Sequence, residues 1–161
     1  MIVVSNTSPI LNLSTIGRLS ILGHLYGRVL VPEAVWQELE SIQAERGETE
    51  SVLSHPWLET RSVVDRRLVG ALRAELDPGE AEAIVLAIEV SADLVLIDER
   101  KARGAASRFG LRYIGLLGVL IDAKHRGIIP SVKDVLDRLI VDAGFWVSAP
   151  LYARVLNQAG E

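Results

Sequence analysis

Short apolar runs alternate along the chain with longer stretches in which apolar residues recur three and four positions apart. The runs are IVVS at 2–5, RVLV at 28–31, LVLI at 94–97 and RYI at 112–114. A weaker extended stretch covers 57–63, after a polar loop around 45–50. Strand-like runs interleaved with helical patterns predict an α/β fold on a mainly parallel sheet. The first and third runs are apolar without inside–outside alternation, as central strands covered on both faces must be.

The helices carry readable punctuation. Ser8 is the expected N-cap of the first, with Pro9 just inside it. Pro32 is expected to open PEAVWQELESIQ. In LDPGEAEAIVLAIEVS, Asp77 caps, Pro78 takes the first helical position and Glu80 completes a capping box. A further helix near 99–109 ends at Gly110. Pro130 separates a helix over 116–126 from one over 131–144, and a last helix covers 149–158. In the C-terminal pieces Val132, Val135, Leu136 and Leu139 fall at helical spacing, a face for the sheet or for a partner.

Composition narrows the class. At 161 residues, 49% apolar and 24% charged, the chain predicts a single globular domain over 1–161, with C-terminal helices from about 131. No apolar run approaches the ~20 residues that span a bilayer. MIVV lacks the basic flank and cleavage site of a leader, so a cytoplasmic protein with no membrane association is expected. With no cysteine and only three histidines, a thiolate nucleophile and a disulfide framework are excluded, and a zinc centre is disfavoured. A formal charge of −4 argues against a general nucleic-acid coating protein but not against a local basic strip.

The candidate chemistry lies in carboxylates picked out by context. Ligands of open parallel sheets bind beyond the carboxyl ends of the strands. Asn6 follows the first run, and Asp98 with Glu99 follow LVLI. Glu38 lies among Val35, Leu39 and Ile42 on its helix, and Glu82 sits beside Val85 and Leu86 in a helix apolar nearly all round. A carboxylate in an apolar stripe is costly unless something compensates its charge. Carboxylates gathered in a crevice would repel one another unless a cation lay among them, and hard oxygen donors select Mg²⁺ or Mn²⁺. Each position also has a structural reading. Glu80 is a capping-box partner, Asp98 a cap for the next helix, and Glu99 a complement to its dipole. Glu38 and Glu82 are stripe-edge residues reaching water, and SNTSP is a polar turn.

After the acidic pair come Arg100, Lys101 and Arg103, with Arg108 further on. These cations suit phosphates beside a metal, or else form a solvated face paired with Asp98 and Glu99. Arg66, Arg67 and Arg73 form a second, weaker rim. Trp36, Trp57 and Trp146 are expected to pack rather than to stack on bases.

Taken in order, IVVSNTSPILNLSTIG, VLVPEAVWQELE, LDPGEAEAIVLAIE, LVLIDERKARGAA and GLRYIGLLGVLIDAKHRGII resemble the PIN-domain family, in a prokaryotic branch related to VapC-type toxins. The resemblance runs from Ile2 to about Ala159. It implies a three-layer α/β/α sandwich with a central, mainly parallel sheet and an acidic cluster binding Mg²⁺ or Mn²⁺. It also implies ribonuclease cleavage by metal-activated water, RNA as substrate, an antitoxin protein as partner and a homodimer. Carried onto this chain, the first acidic position falls at Asn6, with Ser8 as the hydroxyl residue of that motif. The others fall at Glu38, at Glu82 (with Glu80 a less favoured claimant) and at Asp98, with Glu99 beside it. Arg100, Lys101 and Arg103 are the expected RNA-binding residues.

Asn6 departs from the pattern, because an amide keeps an oxygen donor but removes one negative charge. Either the site works with a reduced charge set, or the scaffold is a catalytically weakened module that binds RNA or a protein without turnover. Another metal-dependent phosphohydrolase is a third option. The lack of a D-x-D pair after the first strand disfavours a phosphoaspartate enzyme.

Overall fold

The computed structural model describes residues 1–46 and 52–161. Its five strands are β1 (Val3–Ser5), β2 (Val29–Pro32), β3 (Leu58–Arg61), β4 (Leu94–Leu96) and β5 (Tyr113–Ile114). All pair in parallel, in the order β3-β2-β1-β4-β5. The described helices are α1 (Thr7–Thr15), α2 (Ser20–Tyr26), α3 (Glu33–Arg46), α4 (Arg66–Leu72) and α5 (Pro78–Glu89). They continue with α6 (Arg100–Arg108), α7 (Leu116–His125), α8 (Val132–Asp142) and α9 (Ala149–Gln158).

The central strands are buried on both sides. Val3, Val29, Val31, Leu94 and Leu96 point into a core completed by α1, α2, α7 and α8, with Val35 and Leu39 of α3. Val4, Leu30, Val95 and Ile97 point into a second core filled by α4, α5 and α6. Successive residues on a strand face opposite sides, so an unbroken apolar run is what a sheet covered twice requires. The α/β/α layering expected from the sequence is the architecture of the molecule.

Local chemistry fixes several helix starts. The Asp77 side chain accepts from the Glu80 N–H at 2.7 Å, and Glu80 accepts from the Asp77 N–H at 3.0 Å, closing the expected capping box. Asp65, Ser131 and Ser148 cap α4, α8 and α9 in the same way. The start of α1 differs from expectation: Asn6, not Ser8, holds the N-cap position, and Pro9 lies two residues inside the first turn. Proline is tolerated there because the first N–H groups of a helix have no intrahelical partner. Pro32 closes β2 instead of opening α3.

The short helices α2 and α4 carry no clear pattern in the sequence. Gly23 within α2 leaves room for the Trp57 indole, which lies 2.7 Å from where a Cβ would sit. Trp36 and Trp57 pack against the core as expected, whereas Trp146 is 82% exposed. Of the loop placed around 45–50, Glu45 and Arg46 close α3 and the remainder lies outside the described residues.

Candidate functional site

Strand order reverses between β1 and β4, the switch point beyond whose carboxyl ends ligands of open parallel sheets bind. The Asn6 N–H donates to the Leu96 carbonyl at 3.1 Å, so the residues leaving these two strands are held side by side. Asn6 is 5% exposed, and although it occupies the N-cap position its side chain makes no capping hydrogen bond. Instead its Oδ1 approaches Gly79 in the first turn of α5. A Cβ on Gly79 would lie 3.4 Å from Asn6 Oδ1, 3.4 Å from Glu38 Oε2 and 3.3 Å from Val35 Cγ2. Side chains of β1's end and of α3 thus meet the first turn of α5 at residue 79.

Glu38 is exposed, not enclosed in the Val35–Leu39 stripe. Its position on the helix turns the carboxylate toward α1, where Thr7 donates its hydroxyl to Oε2 at 2.8 Å. Ser8 is half-buried and accepts from the Asn12 amide at 3.3 Å.

On the other lip, Asp98 Oδ1 accepts from the Leu116 N–H at 2.8 Å and lies 3.7 Å from Arg103 Nη2. Asp98 therefore serves the start of α7 and not the helix that follows it, whose N-cap position belongs to Glu99. Asp98 Oδ2 is buried and has no hydrogen-bond partner among the described residues. Burial pushes the Asp98 carboxyl above the ordinary carboxylate range; the Leu116 N–H and Arg103 pull it down, and the charge of Glu99 adds to the rise. Burial likewise raises Glu80, against the pull of the Asp77 N–H, with the charges of Asp77 and Glu99 contributing upward. Glu99 thus influences both Glu80 and Asp98.

Glu82 departs from the expected ligand set. It is 7% exposed, and both of its oxygens are engaged: Oε1 accepts from the Ala34 N–H at 3.1 Å, and Oε2 pairs with Arg66 Nη1 at 3.2 Å. The carboxylate is spent on tying α5 to the start of α3 and to α4. Among the described residues no group of three or more acidic or histidine side chains stands close enough to hold a metal ion. Glu38, Glu82 and Asp98 do not form such a group, and Glu82 is engaged between helices.

The basic residues divide. Arg100 and Lys101 are exposed, with no hydrogen-bond or ion-pair partner among the described residues. Arg103 turns inward on Asp98, and Arg108 pairs with Glu75. Thr7, Gly79, Gly115 and the Leu116 N–H were not singled out from the sequence. The glycines were the available signal, since each immediately precedes or opens a helix without needing a left-handed backbone.

The remaining oxygen donors still suit a hard divalent cation. Asn6 Oδ1 and Glu38 Oε2 both lie against Gly79, Asp98 Oδ2 is an acceptor without a partner among the described residues on the adjoining strand end, and burial works against the Asp98 charge. A magnesium ion that keeps most of its water needs only one or two carboxylates.

Compared with known families, residues 2–161 match the family model DUF3368, described as a PIN domain. No curated protein matches the chain.

Proposed function

The chain belongs to the PIN-domain family, a nuclease-type family, and on that premise we propose that it is a divalent-metal-dependent ribonuclease. The observation that carries the reading is the Oδ2 of Asp98, buried and unpartnered among the described residues, on the strand end that neighbours the one carrying Asn6. Asn6, Glu38 and Asp98 are the residues that would hold Mg²⁺ or Mn²⁺, with Glu99 and Glu80 supplying further negative charge nearby. When bound, such an ion supplies a water of lowered pKa and neutralises charge on the phosphate under attack.

The protein's own part is placement. Thr7 fixes the direction of Glu38, and the Leu116 N–H fixes Oδ1 of Asp98. Arg100 and Lys101, exposed one turn from Asp98, meet the phosphates of an RNA strand as it enters. Ser8 orients the polar turn through Asn12. Glu82 supports the site from behind by holding α3 against α5.

The resemblance of the motifs to VapC-type proteins supports a finer reading as the toxin of a toxin–antitoxin pair, acting as a homodimer in the cytoplasm. Among the described residues no helix is long and apolar enough to cross a membrane.

Purified protein incubated with single-stranded RNA tests the activity. Cleavage that requires Mn²⁺ or Mg²⁺, stops with chelator and is lost in Asp98→Ala is the expected result; equal cleavage by that variant refutes it. A second reading, binding without turnover, is favoured by the neutral Asn6 and the missing third carboxylate. Asn6→Asp separates the two, because a large gain of cleavage in an otherwise silent protein identifies the native chain as the binding module.

A further inference from the structure

Arg103 lies one turn into α6, among exposed cations that suit phosphate steering, yet its side chain is held on the inside of the lip. Its Nε donates to the Ile97 carbonyl at 2.9 Å. Its Nη2 lies 3.7 Å from Asp98 Oδ1. The guanidinium carbon stands 5.6 Å from the centre of the Tyr113 ring, a distance at which the ring face attracts a cation. Gly115 completes the enclosure. A Cβ at 115 would collide with Arg103 Nη2 and lie 2.9 Å from Asp98 Oδ1. The Gly115 backbone, at φ −94° and ψ 176°, suits any residue, so space for the guanidinium is what demands glycine there.

We infer that Arg103 is a positioning residue, locked by the Ile97 carbonyl, the Tyr113 ring and the bare Gly115 so that it holds Asp98 by Oδ1 and leaves Oδ2 for a ligand. This rests on the nuclease reading above and deepens it. A planar guanidinium with donors in fixed directions satisfies the carbonyl and the carboxylate at once, while an ammonium offers a single point of charge. Together with the Leu116 N–H, it commits one oxygen of Asp98 and no more. The RNA-contacting role then falls to Arg100 and Lys101 alone.

The test follows Mn²⁺ binding by calorimetry, RNA cleavage kinetics and urea unfolding of the whole chain. In Arg103→Met, Mn²⁺ affinity is expected to fall by about 10- to 100-fold, as when the outer partner of a ligating residue is removed. The kcat falls with it, while KM for RNA stays within about twofold of the parent. Arg103→Lys restores neither quantity. Without any metal, Gly115→Ala destabilises the native chain but costs less in the Arg103→Met background, where the colliding group is gone. Unchanged Mn²⁺ affinity with a raised KM that Arg103→Lys repairs would overturn the inference in favour of steering. An equal cost of Gly115→Ala in both backgrounds also overturns it. If the native chain neither binds Mn²⁺ nor cleaves RNA, the nuclease reading fails and takes this role with it; if it does both and the Arg103 variants behave like it, only the inference fails.

Discussion

Thr7 gives its hydroxyl proton to Glu38 across 2.8 Å, joining the first turn of α1 to the second turn of α3. The bond links a residue that is almost wholly buried to one that is exposed, and so anchors a solvent-facing carboxylate to the rigid end of β1. Thr7→Val keeps the shape and removes the donor. Because water can replace the lost partner at Glu38, stability should fall by less than about 1 kcal/mol. Cleavage of RNA should fall further, by roughly tenfold, corresponding to about 1.4 kcal/mol of lost orientation in the transition state. Thr7→Ser retains the parental rate. Urea unfolding beside single-turnover kinetics measures both quantities, and parallel losses would show that the bond serves stability alone.

Glu82 separates a ligand from a brace. In Glu82→Gln the amide oxygen still accepts from Ala34, and only the pairing with the largely exposed Arg66 is lost, so the cost should stay below about 1 kcal/mol. Glu82→Ala abandons the Ala34 N–H and should cost about 2 kcal/mol. Calorimetry should find Mn²⁺ affinity within about twofold of the parent in Glu82→Gln, against a loss of tenfold or more in Asp98→Asn. A tenfold loss in Glu82→Gln would return this residue to the ligand set.

Glu161 clasps the start of α8. Its carboxylate accepts from the Val132 N–H at 2.6 Å, the Lys133 N–H and the Ser131 hydroxyl at 3.1 Å, and pairs with Lys124 at 3.2 Å. Burial opposes the charge, but these donors prevail and lower the carboxyl from 4.5 to about 2. As pH falls, the unfolded chain therefore takes up this proton first. The stabilisation is whole above about pH 4.5 and disappears toward pH 2. The difference in melting temperature between the native chain and Glu161→Gln should accordingly be widest near neutrality and close on acidification; a constant gap would contradict the assignment.

The Tyr26 hydroxyl is buried and without a partner among the described residues, and burial, reinforced by Asp122, pushes it up to about 12. Enclosing a hydroxyl without a hydrogen bond costs roughly 1–3 kcal/mol. Tyr26→Phe should therefore leave stability unchanged or raise it by about 1 kcal/mol. A clear drop in melting temperature would reveal a partner for that oxygen.

Local chemistry was legible in the sequence and distant chemistry was not. The Asp77–Glu80 box spans four residues, and the unbroken apolar runs of β1 and β4 announce burial on two sides, so the core of the sheet and α5 could be read directly. The seven-residue helices α2 and α4 could not, because they exist through packing, as where Trp57 fills the space above Gly23. The same limit governs the carboxylates. Glu82 looked like a ligand because a charged group among apolar neighbours needs a partner, and that partner proved to be an amide 48 positions earlier. Asp98, a ligand candidate whose structural alternative is a cap for its own helix, instead serves the start of the next helix, 18 positions later. Residue type identified which groups were unusual, and only the fold could say what each one met.

The strand order also governs when the crevice comes into being. β1 is made first but takes β4 as a neighbour, and the Ile2 N–H waits for Asp93, 91 positions later. Contacts across such a separation close late and slowly. A nascent chain that has emerged only as far as α4 possesses Asn6, Thr7 and Glu38 but not Asp98, Arg103 or Leu116 on the other side of the site. The site is thus incomplete through more than half of the chain's own synthesis, and any chemistry it supports waits until the second half of the sheet has docked.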